Sequence, residues 1–167
     1  MVIVRRAAAV DWPRSRRIRL RALQEAPLAF ASTYAREVAF EEAMWLHRIA
    51  SSAQFLAIED DEVVGTATGF IDPDEPSSVL LVAMYVTPAA RGRGIGERLV
   101  NAVVGQARAA GAQRVRLHVV ETNPVAERLY ARCGFLRTGT TMRLPHRPDL
   151  LEREMELLLA GPVGRAN

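Results

Sequence analysis

A short glycine-rich segment is the first part of this sequence that could do chemistry. It reads Arg91-Gly92-Arg93-Gly94-Ile95-Gly96 and separates an apolar stretch from an amphipathic one. Glycine has no Cβ atom, so such a turn can bring its backbone N–H groups close to a ligand. At a helix N-terminus these N–H groups lack partners and favour phosphate oxygens, and the two arginines add charged donors. The spacing therefore predicts a pyrophosphate site.

Three other interpretations of this turn have to be weighed. A P-loop requires a lysine after its last glycine, and the chain contains no lysine. A dinucleotide-binding turn requires G-x-G-x-x-G, whereas Gly92, Gly94 and Gly96 give G-x-G-x-G. A purely structural turn between a strand and a helix stays open, because glycine marks turns in proteins of every function.

A second motif follows one predicted helix and one predicted strand later. It runs from Asn123 to Phe135 as N-x-x-A-x-x-x-Y-x-x-x-G-F. Together with R-x-x-G-x-G after Tyr85-Val86-Thr87-Pro88, it resembles the GNAT superfamily of N-acetyltransferases, over residues 79–135. The resemblance implies an α/β (α+β mixed sheet) fold. It has a central, mostly antiparallel sheet of about seven strands, splayed between strands 4 and 5 and flanked by about four helices.

The resemblance also implies acetyl-coenzyme A as co-substrate. The strand before the turn would carry a bulge, and the pantetheine arm would lie in the gap beside it. The backbone there would pair with the pantetheine amides and polarise the thioester carbonyl. The turn would hold the pyrophosphate, and Arg132 would reach the 3′-phosphate. The implied cofactor residues are Met84, Tyr85, Val86, Arg91, Gly92, Arg93, Gly94, Ile95, Gly96, Glu97, Asn123 and Arg132.

Acetyl transfer to an amine needs two proton movements, since the amine must lose a proton and the departing thiolate must gain one. The resemblance implies that Tyr130 is the acid, although a packed aromatic residue would fit the same position. His118 occupies a position where certain protein N-terminal acetyltransferases have a glutamate. A neutral histidine could accept the proton near pH 7; the alternative is a hydrogen-bonded strand residue. The stretch 80–84, where some relatives carry a glutamate, is entirely apolar.

Several other residues could take part in chemistry. Glu121 and Tyr85 are further candidates for a base that acts through water. Cys133 has no visible base partner, so we interpret it as a small core residue. His47 and His146 lack the spacing of metal ligands, and no metal site is predicted.

In the family, the first two helices and the final strand pair select the acceptor. Phe30 and Tyr34 are candidates for an apolar wall of the acceptor site, together with Phe40 and Trp45, and all four could instead be core anchors. The carboxylates that could attract a cationic amine, or simply be solvated, are Glu25, Glu37, Glu41 and Glu42. We expect the acceptor to be the primary amine of a small molecule. The alternatives are a protein or peptide N-terminus, or a non-catalytic module that binds coenzyme A for regulation.

Hydrophobic periodicity predicts the elements that position these motifs. Asn123 and Pro124 are the expected cap and first-turn residues of the last helix. The predicted strands are 2–6, 54–59, 63–71, 79–86, 114–120, 135–143 and 152–159, with a loop around the Pro-His-Arg-Pro segment 145–148. The predicted helices are 12–25, 41–50, one that runs from the glycine turn to residue 111, and 124–133. The arginines of the first helix form a solvated face, with nucleic-acid binding as the alternative.

Composition bounds the class of protein. The 167 residues suit a single domain over 1–160 with a flexible tail at 161–167. No apolar run approaches the roughly 18 residues of a membrane span, and the opening residues have the wrong order for a secretory signal. With one cysteine in the chain, we expect a cytoplasmic protein that binds neither membrane nor nucleic acid. The resemblance allows a homodimer. All 22 basic residues are arginine, and the net charge is +3.

Overall fold

A computed structural model describes residues 1–160, which form one seven-stranded sheet. The predicted tail at 161–167 lies outside the described residues. The strands are β1 (Ile3–Arg6), β2 (Ala53–Glu59), β3 (Glu62–Ile71), β4 (Ser78–Val86), β5 (Arg114–Val120), β6 (Leu136–Leu144) and β7 (Arg147–Leu158). The helices are α1 (Trp12–Glu25), the single turn α2 (Tyr34–Glu37), α3 (Glu42–Ser51), α4 (Ile95–Ala109) and α5 (Pro124–Arg132).

The strand order is β1-β2-β3-β4-β5-β7-β6. Every neighbouring pair is antiparallel except β4 and β5, which run parallel. The crossover between these two strands is α4, as a parallel connection requires. The predicted mixed, mostly antiparallel sheet with a break between strands 4 and 5 is therefore confirmed.

The helix boundaries follow from local sequence. The Asn123 side chain accepts a hydrogen bond from the N–H of Ala126 and caps α5, while Pro124 takes the first turn, where its missing N–H breaks no bond. Gly94, in the left-handed region at φ 73°, immediately precedes α4. These caps fix where each helix begins relative to the strand before it.

Two hydrophobic clusters lie on opposite faces of the sheet. Consecutive residues of a strand point to opposite faces, and Leu56 of β2 belongs to the cluster under α1 and α3, whereas Ala57 belongs to the cluster under α4 and α5. Both residues are fully buried. The sheet is thus covered on both faces, which explains the continuous apolar run of β4.

β4 and β5 separate soon after they meet. Their pairing is limited to three residue pairs, Ser78 with Arg114, Val79 with Val115 and Leu80 with Arg116, which we call the seam. Further along, β4 bulges against β3, because Ala83 and Met84 together oppose the single residue Ala67. Ala83 has a positive φ of 55°, which is rare for a residue with a Cβ atom. The predicted bulge and gap are both present, and they leave the backbone edge of β4 open.

Ion pairs reinforce the seam. The Arg114 guanidinium bonds to Glu75 and to Glu156, and the Arg116 guanidinium bonds to Asp72 and Glu154. Asp72 and Glu75 belong to the loop before β4, while the two other carboxylates belong to β7. This arginine clamp therefore fastens the closed end of the gap from both sides.

The closing hairpin differs from the sequence expectation. β7 begins at Arg147, not at Glu152, so that the predicted loop at 145–148 shrinks to a tight turn. Proline suggested a longer loop, but Pro148 lies where the β6–β7 register shifts, between the pairs Leu144–Arg147 and Arg143–Leu151. A missing N–H at such an irregularity breaks no ladder bond. Among residues 1–160, no helix is long and apolar enough to span a membrane.

Candidate active site

A cavity of about 670 Å³ occupies the gap between β4 and β5. We call it the turn cavity, because the glycine turn, the end of β4, the end of β5 and α5 line it. Its walls include most of the residues expected to bind the cofactor: Met84, Tyr85, Val86, Arg91, Gly92, Gly94, Ile95, Gly96, Glu97, Asn123 and Arg132. The fold thus brings together residues that are far apart in the sequence.

The glycines of the turn have two different roles. Gly92 and Gly94 have φ of 74° and 73°, and a Cβ atom on either would meet no protein atom within 4 Å. A side chain there would project into open space at the mouth of a helix. A Cβ on Gly96 would instead lie 3.0 Å from Leu129 Cδ2 and 3.3 Å from Met84 Cε. Gly96 is required for packing, whereas the first two glycines leave room for a ligand.

The arginines around the turn are not equivalent. Arg91 donates to the Val86 carbonyl oxygen and Arg132 pairs with Glu97 at 2.8 Å, and both line the turn cavity. Arg93 does not line it, because its guanidinium forms two hydrogen bonds, of 2.8 and 2.6 Å, to Glu59. The expectation that the Arg93 side chain faces a phosphate is therefore not supported.

Tyr130 is buried in α5 and packs edge-on against Phe135, with ring centroids 6.1 Å apart. It lines the turn cavity, and its hydroxyl makes no hydrogen bond to the described part of the chain. Burial raises the pKa of Tyr130 above its usual value. The phenol therefore keeps its proton at neutral pH and has that proton free for a ligand.

A second cavity, of about 570 Å³, lies between the sheet and the helices α1, α2 and α3. We call it the charged cavity. Its lining includes Arg19, Arg36 and Arg48, two carboxylates, Glu37 and Glu152, and apolar side chains such as Trp45 and Met142 of the closing hairpin. It thus combines apolar walls with charges of both signs.

Glu37 is fully buried and lies under two arginines of this cavity. Arg19 bonds to it at 3.0 and 2.8 Å and Arg48 at 2.8 Å. Although burial opposes ionisation, these hydrogen bonds lower the pKa of Glu37 to about 2. The expectation that Glu37 is solvated or free to attract an amine is wrong, because its charge is already shared by two guanidinium groups.

The two cavities meet at three residues that line both: Ala29, Phe30 and His118. Phe30 is held there by Arg19, whose guanidinium carbon lies 4.8 Å from the centre of the ring. His118 projects from β5 towards the same junction. A group that enters through the turn cavity and one that enters through the charged cavity would therefore meet beside His118.

Two carboxylates of β7 lie near His118. Glu154 is directly opposite it in the sheet, and the distance from His118 Nε2 to Glu154 Oε2 is 3.6 Å. Glu152, one alternation along the strand, lines the charged cavity. Burial raises the pKa of Glu152. The site thus has carboxylates beside its histidine, although β4 supplies none.

Other predicted residues lie outside this arrangement. Tyr34 was a candidate for the wall of the acceptor site, and the structure corrects this. Its side chain lies in a groove with Trp12 and Leu20, because α2 turns it towards α1 rather than into the charged cavity. Trp45 lines that cavity, whereas Phe40 packs against Trp45 in the core. Glu41 and Glu42 are exposed and line neither of the two cavities.

Three side chains weighed as bases or nucleophiles are constrained. The Tyr85 hydroxyl donates to Glu25, and burial with this bond raises its pKa to about 12. Burial also raises the pKa of the Cys133 thiol, which keeps it protonated. Glu121 bonds to the backbone N–H of Leu151 and lines neither cavity. In residues 1–160, no three histidine, cysteine or acidic side chains are grouped as metal ligands.

Residues 17–135 match the family model of the acetyltransferase (GNAT) family. The chain belongs to this family. As a GNAT N-acetyltransferase, it uses acetyl-coenzyme A as co-substrate.

Known proteins similar to this GNAT enzyme differ in how much of their length is matched. It is 26% identical to the L-2,4-diaminobutyric acid acetyltransferase of Virgibacillus pantothenticus, over 70% of this chain and 77% of that protein. It is 41% identical to glucosamine 6-phosphate N-acetyltransferase 1 of Oryza sativa subsp. japonica, over 36% of this chain and 35% of that protein. The yncA protein of Salmonella typhimurium, solved with its cofactor acetyl-CoA, has the same fold, with a TM-score of 0.80 at 19% identity over 99% and 98% of the two chains.

Sequence reasoning missed two charged residues of this GNAT enzyme. Arg128 lines the turn cavity on α5 and makes no ion pair within residues 1–160. It lies inside the second motif, one helical turn before Arg132, which was the available signal. The sequence analysis did not select Glu152, because the last strand was predicted to begin at this residue. The alternation Glu152, Glu154, Glu156 places three carboxylates on one face of β7, which is the pattern that could have revealed it.

Proposed function

We propose that this enzyme transfers the acetyl group of acetyl-coenzyme A directly to the primary amine of a small molecule. The observation that supports this most strongly is the junction of the two cavities at His118. One cavity has the glycine turn expected to hold phosphates, and the other has the charges and apolar walls of a small polar acceptor. Two substrates bound in this way would have their reacting groups side by side, without a covalent enzyme intermediate.

The turn cavity fits acetyl-coenzyme A in its shape and in its donors. The open space beside Gly92 and Gly94 lets the amides of the segment 92–97 reach the pyrophosphate. Arg91, Arg128 and Arg132 supply positive charge for the phosphates, and Asn123 lies in the same wall. Met84 to Val86 offer the backbone groups that the seam leaves unpaired on the β5 side. When bound, the co-substrate supplies a thioester acyl group.

We assign the two proton movements to His118 and Tyr130. His118 accepts a proton from the acceptor's ammonium group, which leaves a neutral amine able to form the new N–C bond. Tyr130 gives its proton to the sulfur as the C–S bond breaks, and the second proton released from the nitrogen restores Tyr130. The burial that raises the pKa of Tyr130 keeps the phenol protonated until the thiolate forms beside it.

The similar proteins support a small-molecule acceptor. Two of them are named for 2,4-diaminobutyric acid and glucosamine 6-phosphate, which are small primary amines. A single domain over 1–160, a cytoplasmic location and a homodimer stay predictions from the sequence.

Calorimetric titration tests the first half of this proposal. Acetyl-coenzyme A and coenzyme A should both bind, and NAD should not, because the turn lacks the dinucleotide spacing. The second half is tested by thiol release with panels of small amines and of peptides. Turnover on peptides alone would contradict a small-molecule acceptor, and binding without turnover on any panel would indicate a regulatory module.

A further inference from the structure

Glu152 is a buried carboxylate without a partner. The residue is 6% exposed, and within residues 1–160 its carboxylate makes no hydrogen bond or ion pair. A buried carboxylate is costly to ionise unless it is paired. Since Glu152 lines the charged cavity, the missing partner would be a cation that enters this cavity.

Glu152 lies where the reacting nitrogen is expected. It is opposite Val120 in the β5–β7 pairing, and His118 and Val120 point to the same face of β5. Glu152 is therefore the diagonal neighbour of His118, and one small group could contact both side chains. The charged groups near it are His118, His146 of the adjoining turn and the arginines across the cavity.

The other end of the charged cavity has an excess of positive charge. Arg19 and Arg48 share the single carboxylate of Glu37, and Arg36 makes no ion pair within residues 1–160. Ser15 and Ser32 line the same region, and their hydroxyl oxygens are buried without a hydrogen-bond partner. Unpaired guanidinium and hydroxyl donors together favour an anionic group.

The two ends are separated by several strands. Helices α1 and α3 pack over β2 and β3, whereas Glu152 is on β7, with β4 and β5 in between. Since neighbouring strands lie about 4.8 Å apart, β7 is about 14 Å from β3 and about 19 Å from β2. The side chains of Arg36 and Glu152 both line the cavity and cover part of this distance, and a molecule the size of a sugar phosphate would cover the rest.

We propose that the acceptor is a small primary amine that also carries an anionic group, with its ammonium on Glu152 and its anionic group on Arg36. This rests on the proposed function and narrows its substrate class. Glu152 holds the ammonium beside His118, which then takes the proton. A neutral amine of the same shape would leave the guanidinium end without a partner.

Matched pairs of amines test the substrate class. The probes are glucosamine 6-phosphate against glucosamine, and 2,4-diaminobutyrate against its carboxamide. The anionic member of a pair should have the higher kcat/KM by up to about 5-fold, the effect of one charge contact on the exposed Arg36. Arg36→Gln should bring the ratio close to one, whereas Arg108→Gln, an exposed arginine outside the cavity, should leave it unchanged.

Glu152→Gln separates a binding role from a structural one. The variant should lower kcat/KM for the anionic amines by about 10–100-fold, with the affinity for acetyl-coenzyme A unchanged. Its melting temperature should stay equal or rise, because a neutral amide replaces an unpaired buried charge. Asp149→Asn, at the exposed start of the same strand, is the control. A lower melting temperature with unaltered kcat/KM would make Glu152 structural and overturn the proposal.

The same panel of amines distinguishes failure of the anionic-amine class from failure of the proposed function. Equal or faster acetylation of the neutral members overturns the anionic-amine class and leaves the proposed function in place. No acetyl transfer to any small amine, while acetyl-coenzyme A still binds, overturns the small-molecule acceptor itself and with it this inference.

Discussion

The Nε2 atom of His118 lies 3.6 Å from Oε2 of Glu154, across the β5–β7 pair. Glu154 is itself held by a hydrogen bond from Thr138 and by Arg116 of the arginine clamp. The histidine ring at the junction of the cavities therefore stands against a carboxylate whose position is fixed.

His118→Gln should lower kcat by about 10²–10⁴-fold, the usual contribution of a general base. Acetyl-coenzyme A affinity should change little, since the ring meets only the end of the turn cavity. Steady-state kinetics and calorimetry measure the two effects. His47→Gln, on the outer helix α3, is the matched control, and an unchanged kcat in His118→Gln would remove this residue from the mechanism.

Tyr130→Phe should lower kcat by about 10²–10⁴-fold if the phenol is the only acid. Stability and cofactor affinity should be nearly unchanged, because the hydroxyl bonds to no group in residues 1–160 and the ring contact with Phe135 is retained. Kinetics, thermal melting and calorimetry together test this expectation. Tyr34→Phe, outside both cavities, serves for comparison. Full activity in Tyr130→Phe would assign the acid elsewhere.

Gly94→Val should abolish acetyl-coenzyme A binding, because the new side chain would fill the open space that the phosphates need. Gly111 has a similar φ of 78°, and a Cβ there also meets no protein atom within 4 Å. Gly111→Val therefore imposes comparable backbone strain far from the cavity. Calorimetry should show lost binding only in the first variant. Equal affinities in the two would mean that the turn is structural.

Arg128→Gln should raise the dissociation constant of acetyl-coenzyme A by up to about 5-fold, as expected for one exposed charge contact. The effect should shrink at high salt, because exposed charges are screened. Arg93→Gln should have no effect, since the Arg93 guanidinium is paired with Glu59. Calorimetry at two ionic strengths checks both variants, and a larger loss in Arg93→Gln would reverse the assignment.

Glu37 should make the fold sensitive to acid. Its pKa is about 2 in the folded protein, below the ordinary value of 4.5. Its contribution to the free energy of unfolding is therefore complete above about pH 5 and is lost as the pH falls towards 2. Glu37→Gln should lose about 1–3 kcal/mol at pH 7, because the partly buried Arg19 and Arg48 lose the charged partner of their hydrogen bonds.

Urea unfolding at pH 7 and pH 4 measures this difference. The variant should lose less stability between the two pH values than the natural chain does. Glu42→Gln, an exposed residue of α3, should behave like the natural chain. The same acid sensitivity in Glu37→Gln would show that other carboxylates dominate.

The sequence predicted the elements that line the turn cavity better than those that line the charged cavity. The glycine turn, the Asn123 cap and the apolar run of β4 are local patterns, and local patterns are visible in a single sequence. The β7 boundary was missed because Pro148 is tolerated only at a register shift, which depends on the partner strand.

The acceptor side depends on contacts between distant segments. Glu37 is an ordinary glutamate in the sequence, and only the packing of α1, α2 and α3 places Arg19 and Arg48 on it. Glu152 lies next to His118 only because of the register between β5 and β7, which the sequence does not show. Phe30 and Tyr34 were equally good candidates in the sequence. In the structure Phe30 lines both cavities, whereas the single turn α2 places Tyr34 in the groove beside α1. Such outcomes are fixed by tertiary packing rather than by local propensity.

The arginine clamp has a kinetic consequence. It fixes the closed end of the gap between β4 and β5 with ion pairs on both sides, and beyond the seam the two strands are already separated. Capture of the co-substrate should then be a single encounter step whose observed rate rises linearly with concentration, without a slow opening phase. Dissociation of coenzyme A should likewise be a single step. This suits an enzyme that must release coenzyme A after every turnover.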